Sequence, residues 1–243
     1  MQKLDYKLEF EKVQEKTGIY PVIIVEAGSS SRMKGIDKQF ADLGGIPVLA
    51  RTMRAFENCS AISEITIVTR EEKIPDIKRL AERYAVGKLK NVLPGGNCRE
   101  ESVKNAMLLY KDKEEKILVH DGARPLVSDR IITDVVNELK TFDSVSCAVM
   151  AKDTIKSIDD KGVVTRTLNR EELVCVQTPQ GVNVNAFLKV CEEVTDLSIF
   201  TDDTSVMEYA GFKTKTTKGD YNNIKITTPE DIEVAEMLIR KEW

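Results

Sequence analysis

Residues 116–125 read K-I-L-V-H-D-G-A-R-P, a short apolar run that stops at Asp121-Gly122 with Arg124 just beyond. An apolar run closed by turn residues reads as a strand, and its aspartate then stands at the carboxyl end. The pattern recurs on both sides. Strand candidates are VIIV (22–25), EITIV (64–68), NVL (91–93), KILVH (116–120), VSCAVM (145–150), LVCVQ (173–177), KTKTT (213–217) and NIKIT (223–227). Helical stretches lie around 47–57, 75–84, 99–110, 128–140, 183–194, 203–210 and 229–241. Ser128 and Asp129 precede one helix, and Thr228-Pro229-Glu230 opens another with proline in its first turn. Strands alternating with helices imply an α/β fold with a mostly parallel sheet between helical layers. Such sheets bind ligands beyond the carboxyl ends of their strands, here loops 26–45, 94–102, 121–125 and 220–225.

One segment breaks the alternation. Residues 151–171, AKDTIKSIDDKGVVTRTLNRE, read as strand, Asp-Asp-Lys-Gly turn and strand, a hairpin projecting from the sheet. Residues 1–20 are charged throughout, with Leu4, Leu8, Phe10 and Val13 at the spacing of a short amphipathic helix. They read as an N-terminal extension, and 21–243 as a single domain.

Composition narrows the function. The chain has 243 residues, 42% of them hydrophobic, enough for one large core. No run of about 18 apolar residues occurs, and the first twenty residues lack a secretory leader's apolar segment. The expectation is a cytoplasmic protein with no membrane partner. Five cysteines without a C-x-x-C pair argue against a zinc site or disulfide framework. A net charge of −4 without a basic stripe argues against nucleic acid. A small anionic ligand remains compatible, because local Arg and Lys clusters set the field at a site.

Four segments carry candidate chemistry, the fourth being N-N-I-K-I-T-T-P-E-D (222–231) with Lys225. The first, E-A-G-S-S-S-R-M-K-G-I-D-K-Q-F from Glu26, combines Gly28 and short hydroxyl residues with the cations Arg32 and Lys38. Small residues let backbone N–H groups approach phosphate oxygens, and the cations offset triphosphate charge. An ordinary Gly/Ser surface loop has the same composition, and neither a P-loop nor a G-x-G-x-x-G turn is present. The second, P-G-G-N-C-R-E-E-S (94–102), suits either a tight turn that reads a base edge or a plain strand-to-helix turn. In the third, Asp121 is placed either to bind Mg²⁺, which takes one or two carboxylates plus phosphate oxygens and waters, or to close a turn. His120, the only histidine, reads as packed and hydrogen-bonded rather than as a base. Lys225, between Ile224 and Ile226 in a strand pattern, faces either solvent or an anion. No G-x-S-x-G, Cys/His pair or spaced carboxylate dyad occurs, which fits a substrate that supplies its own nucleophile.

In order and spacing, AGSSSRM…DKQF, LGGIPVLARTMRAF, GGNCREESV, VHDGARP, KDTIK, QTPQ, TDDTSVMEYAG and GDYNNIKITTPED resemble the 2-C-methyl-D-erythritol 4-phosphate cytidylyltransferases of the non-mevalonate isoprenoid pathway. The likeness spans about residues 20–240. It implies a three-layer sandwich with a mixed, mainly parallel sheet of the nucleotide-diphosphosugar transferase type. It further implies Mg²⁺-dependent transfer of CMP from CTP to the sugar-alcohol phosphate, with release of pyrophosphate, by a homodimer joined through the hairpin arm. By the same resemblance, Arg32 and Lys38 stabilise transition-state charge, and Arg170 and Lys225 position the sugar phosphate. Ala27, Gly28, Ser29, Gly95, Gly96, Ser102 and Asp121 would bind the nucleotide. Asp121, Arg124, Thr154 and Thr178 would contact the substrate, with Asp121 also the metal ligand. Thr154 and Arg170, on or beside the arm, would serve the partner subunit's site.

Two departures fall in the first loop. The family usually reads A-A-G-x-G-x-R-M, where Glu26 and Ser30 stand here, and often P-K-Q, where Asp37 precedes Lys38. A pentitol (ribitol) 5-phosphate cytidylyltransferase shares most of these motifs, with T-D-D at 201–203 inclining the reading to methylerythritol phosphate. A non-catalytic nucleotide-binding relative is the other alternative. Joint retention of Arg32, Lys38, Asp121, Arg170 and Lys225 speaks against it.

Overall fold

The computed structural model describes residues 20–26 and 37–241. The N-terminal extension and Ala27, Gly28, Ser29, Ser30 and Arg32 of the first loop lie outside the described residues.

The elements follow the expected alternation. They are β1 (Tyr20–Val25), β2 (Asp42–Leu43), β3 (Ile46–Pro47), α1 (Val48–Asn58), β4 (Ile62–Thr69), α2 (Ile74–Arg83), β5 (Leu89–Pro94), α3 (Arg99–Met107) and β6 (Lys116–Asp121). Then come α4 (Asp129–Leu139), β7 (Ser144–Met150), β8 (Lys156–Ile158), β9 (Val164–Thr167), β10 (Val174–Asn183), α5 (Val184–Glu193), α6 (Asp203–Tyr209), β11 (Lys215–Lys218) and α7 (Pro229–Lys241). Seven strands form the main sheet in the order β11-β7-β10-β6-β1-β4-β5. β10 runs antiparallel to both neighbours, and the other pairings are parallel. The carboxyl ends of β1, β4, β5 and β6 therefore share one edge.

Unbroken apolar runs are needed because both sheet faces are covered. In β1, Val22 and Ile24 point to one core and Ile23 and Val25 to the other, as the pleat requires. The first core is closed by α1, α2 and α4, with Phe56 of α1 fully buried. The second is closed by α3, α5 and α6, with Phe187 of α5 fully buried. Each such side chain contributes roughly 1.5–3 kcal/mol by leaving water. The three-layer sandwich is thus the observed architecture. Ser128 caps α4, its hydroxyl accepting from the Ile131 N–H at 3.4 Å.

β8 and β9 pair as the projecting hairpin, turning through Gly162 at φ 78°. Its apolar side chains face outward, Ile158 being 62% exposed and Val164 54%. One strand expectation fails. Residues 223–227 form no ladder; the segment follows a turn and crosses the loop after β6, where Ile226 N–H donates to the Ala123 carbonyl at 2.8 Å. Along it Asn223 and Ile226 are buried, Ile224 is half-buried and Lys225 exposed, a pattern set by contacts with the loop after β6 and with β10 rather than by the pleat of a paired strand.

Candidate active site

The strand reading of 116–121 puts Asp121 at the carboxyl edge, and tertiary packing surrounds it with cations. Arg99 Nε lies 3.4 Å from Oδ1, while Lys225 Nζ lies 2.9 Å and Arg124 Nε 3.5 Å from Oδ2. Burial works to raise the Asp121 pKa, but Arg99, Lys225 and Arg124 outweigh it and hold the carboxyl well below the usual carboxylate range. Arg99 makes a bidentate pair with Asp203 (Nη1–Oδ1 2.9 Å, Nη2–Oδ2 2.7 Å), the geometry of two ionised groups. Burial opposes the Arg99 charge, yet Asp203 and Asp121 keep the guanidinium firmly protonated.

His120 organises the backbone behind this cluster. Its Nε2 faces the Arg124 carbonyl at 3.2 Å, so that nitrogen carries the proton. Nδ1 then accepts from the Thr178 hydroxyl at 3.0 Å, and Thr178 Oγ1 in turn accepts from the Asp121 N–H at 3.0 Å. Burial pushes the imidazole down to about 3, so it is neutral at pH 7. The packed, hydrogen-bonded reading of His120 is the observed one. Arg124 Nη1 donates to the Asn223 carbonyl at 2.7 Å, and Asn223 Nδ2 donates to the Thr178 carbonyl at 3.0 Å. The loop carrying Lys225 is thereby tied to both the loop after β6 and β10.

Arg99, Asp121, Arg124, Thr178, Gln180, Asp202 and Lys225 line part of a cleft of about 300 Å³. Two roomier hollows, about 690 Å³ beside α2 and β5 and about 640 Å³ along β11, lie at the outer sheet edges. Charge and convergence mark the smaller cleft as the site. Of the residues expected from sequence, Asp121, Arg124, Thr178 and Lys225 come together here. Thr154 and Arg170 do not; both are exposed on the arm, where Arg170 Nη1 donates to the Lys152 carbonyl at 3.1 Å.

The 94–102 turn is built from within. Gly96 N–H donates to the fully buried Ser102 hydroxyl at 3.0 Å, and that hydroxyl donates to the Cys98 carbonyl at 2.8 Å. A Cβ on Gly96 would stand 2.4 Å from Glu101 Cβ. Glycine is required here by close approach rather than by a positive φ. Gly95 N–H donates to the Thr69 carbonyl at 2.7 Å, tying the turn to β4.

At the end of β1, Glu26 is 3% exposed and accepts from the Thr69 hydroxyl. Burial pushes its carboxyl up to about 7; the Thr69 bond opposes this, Asp37 adds to it, and Arg70 and Lys38 counter it. Lys38 is half-buried in the turn that follows, and Asp37 pairs with Lys73 at 2.9 Å.

Among the described residues, no three His, Cys, Asp or Glu side chains converge to hold a metal ion. Mg²⁺ needs only one or two carboxylates when phosphate oxygens and water complete its shell. An ionised Asp121 fits it as a single protein ligand. Sequence reading missed Arg99, Gln180, Asp203 and Asn223. Arg99 left one signal: a guanidinium in a helix's first turn opposes the helix dipole and calls for a buried acid.

Together, fold and site define an α/β enzyme whose cationic cleft handles phosphate-bearing substrates at the carboxyl edge of a mainly parallel sheet. The family model for IspD, 2-C-methyl-D-erythritol 4-phosphate cytidylyltransferase, matches residues 20–241. The chain belongs to that family. It is 40% identical over 223 residues to the 2-C-methyl-D-erythritol 4-phosphate cytidylyltransferase of Bacillus mycoides, covering 91% of this chain and 98% of the relative. The enzyme of the same name from Clostridium novyi is 40% identical over 220 residues, covering 89% and 95%. The 4-diphosphocytidyl-2C-methyl-D-erythritol synthase structure from Anaerococcus prevotii superposes with TM-score 0.81 at 32% identity, covering 92% of this chain and 97% of that one.

Proposed function

We propose that this chain transfers CMP from CTP to 2-C-methyl-D-erythritol 4-phosphate and releases pyrophosphate, a step in isoprenoid precursor biosynthesis. The observation that carries the reading is the convergence of Arg99, Arg124 and Lys225 on buried Asp121, in a chain of this family.

A phosphate monoester is largely dianionic near pH 7, its second pKa being about 6. One of its oxygens attacks the α-phosphorus of CTP without a general base. A new P–O–P bond forms, and the bond to the β-phosphate's bridging oxygen breaks, pyrophosphate leaving with the electron pair. The barrier is the approach of anion to anion, so catalysis is positioning and charge stabilisation. The Lys225 side chain is 41% exposed, able to turn from Asp121 toward a phosphate. Arg124 and Thr178 present the acceptor from the wall of the same cleft. Arg32 and Lys38 offset the developing charge, while Ala27, Gly28, Ser29, Gly95 and Gly96 offer backbone groups to the nucleotide, with Ser102 shaping the turn. Asp121 would hold Mg²⁺, which would supply further neutralisation of the triphosphate.

The same reading includes a homodimer formed through the hairpin arm, whose outward apolar residues need a second surface, with Arg170 and Thr154 reaching the partner's cleft. It also includes a cytoplasmic location; among the described residues no helix is long and apolar enough to cross a membrane. The test is pyrophosphate release from CTP and Mg²⁺ with 2-C-methyl-D-erythritol 4-phosphate or ribitol 5-phosphate as acceptor. Turnover with ribitol 5-phosphate alone would reassign the acceptor. Tight CTP binding without turnover on either would make the chain a non-catalytic relative.

A further inference from the structure

We propose that Arg99 and Asp203 form a positioning pair for the reaction, Asp203 holding the guanidinium whose remaining edge holds the carboxylate of Asp121. The proposal rests on the cytidylyl-transfer reading for its kinetic part, and on geometry for the clamp itself.

Arg99 opens α3 and Asp203 opens α6, so the pair joins the N-termini of two helices on one face of the sheet. A guanidinium in a first turn meets the positive end of the helix dipole, whereas a carboxylate there is favoured. Arg99 is therefore badly placed for its own helix and well placed for two acids on other elements. Both terminal nitrogens bond Asp203, with Nη1 also 3.9 Å from Glu100 Oε1, and the bidentate contact fixes the plane of the guanidinium. Nε then lies 3.4 Å from Asp121 Oδ1, an ion-pair contact.

Asp203 has no freedom to follow a misplaced partner. It is 0% exposed, and its own N–H and that of Thr204 donate to Gln180 Oε1 at 3.0 and 3.2 Å. Gln180 Nε2 donates to the α6 capping residue Asp202 at 2.8 Å. The clamp is thus referenced to β10, the strand that also supplies Thr178. On the opposite side, Lys225 Nζ and Arg124 Nε lie 2.9 and 3.5 Å from Oδ2. Without Arg99, the carboxylate would swing toward Lys225, the cation proposed to hold the acceptor phosphate.

Asp203→Asn and Arg99→Lys test this in the full-length chain. Arg99→Lys keeps the charge balance, and so decides the matter should Asp203→Asn fail to fold. Expected in each is a kcat for pyrophosphate release lower by about 10- to 100-fold, the effect of a small misplacement, with KM for CTP changed less than about threefold. Asp203→Glu should recover most of the loss. In ¹⁵N-arginine spectra, the Arg99 Nε–H signal, assigned by its absence in Arg99→Lys, should be protected from exchange in the unaltered protein and lose protection in Asp203→Asn. Unchanged kcat in the folded variants, or a protected Nε–H in Asp203→Asn, would overturn the proposal. An unaltered protein without turnover would instead sink the functional reading, and the spectra would still judge the clamp.

Discussion

Replacing Glu26 by Gln should stabilise this protein at pH 8 and leave its stability unchanged near pH 4. Glu26 lies buried at the end of β1, where burial pushes its carboxyl from 4.5 up to about 7. The folded state therefore keeps the proton to higher pH than the unfolded chain does. Stability is complete below about pH 4.5 and is lost as pH rises through about 7. At about 1.4 kcal/mol per pH unit, the raised pKa corresponds to at most about 3 kcal/mol. Gln cannot ionise and keeps an oxygen acceptor for the Thr69 hydroxyl, so it removes the loss without orphaning its partner. For a chain of this size, about 2–4 °C per kcal/mol translates this into a Tm gain of up to about 6–12 °C at pH 8. Paired thermal melts from pH 4 to pH 8.5 would measure it, the difference between the two proteins cancelling every other titrating group. Because Lys38 lies in the field of Glu26, the variant should also bind CTP more tightly above pH 7 and equally below pH 6. A Tm difference that does not vary with pH would refute the buried-acid account.

Asp121→Asn should lower turnover by about 100-fold or more while the fold survives, because Arg99, Arg124 and Lys225 lose their shared counter-charge; near-normal pyrophosphate release at millimolar Mg²⁺ would contradict this. Mixing Arg170→Ala with Lys38→Ala protein, each nearly inactive alone, should regenerate some active sites if Arg170 serves the partner subunit. Lack of recovery in demonstrated heterodimers would assign it to its own subunit's site. Gly96→Ala should cost about 1–3 kcal/mol in urea unfolding and raise KM for CTP, since the new Cβ would stand 2.4 Å from Glu101 Cβ. An unperturbed variant would show that the 94–102 turn is looser than its hydrogen bonds indicate.

Much of this molecule is written locally. Apolar runs such as V-I-I-V and K-I-L-V mark buried strands because helices cover both faces, and the helix at 129–139 announces itself through Ser128. Asp121 is legible as a site residue for the same reason: where an apolar strand stops, an acid must stand at the sheet edge. The segment 223–227 shows the limit of this reading. Its sequence, with Ile224 and Ile226 flanking Lys225, imitates a strand, yet contacts with Ala123, Thr178 and Asp121 hold it in place of a ladder.

By itself, then, the chain's sequence determines the alternation of elements, the hairpin arm, and the loops that hold Asp121 and Lys38, since each depends on neighbours a few residues apart. The tertiary structure alone decides that β10 lies antiparallel between β6 and β7, bringing Thr178 to the carboxyl edge. It alone brings Arg99 onto Asp203, 104 residues away, and turns the same guanidinium toward Asp121. Packing likewise decides the charge states: burial makes His120 neutral and Glu26 protonatable near neutral pH, while the cations gathered around Asp121 keep it ionised against its burial. The physical reason is range: periodicity and capping act over a turn or a pleat, whereas the field at a buried carboxylate sums charges that only packing brings within a few ångströms.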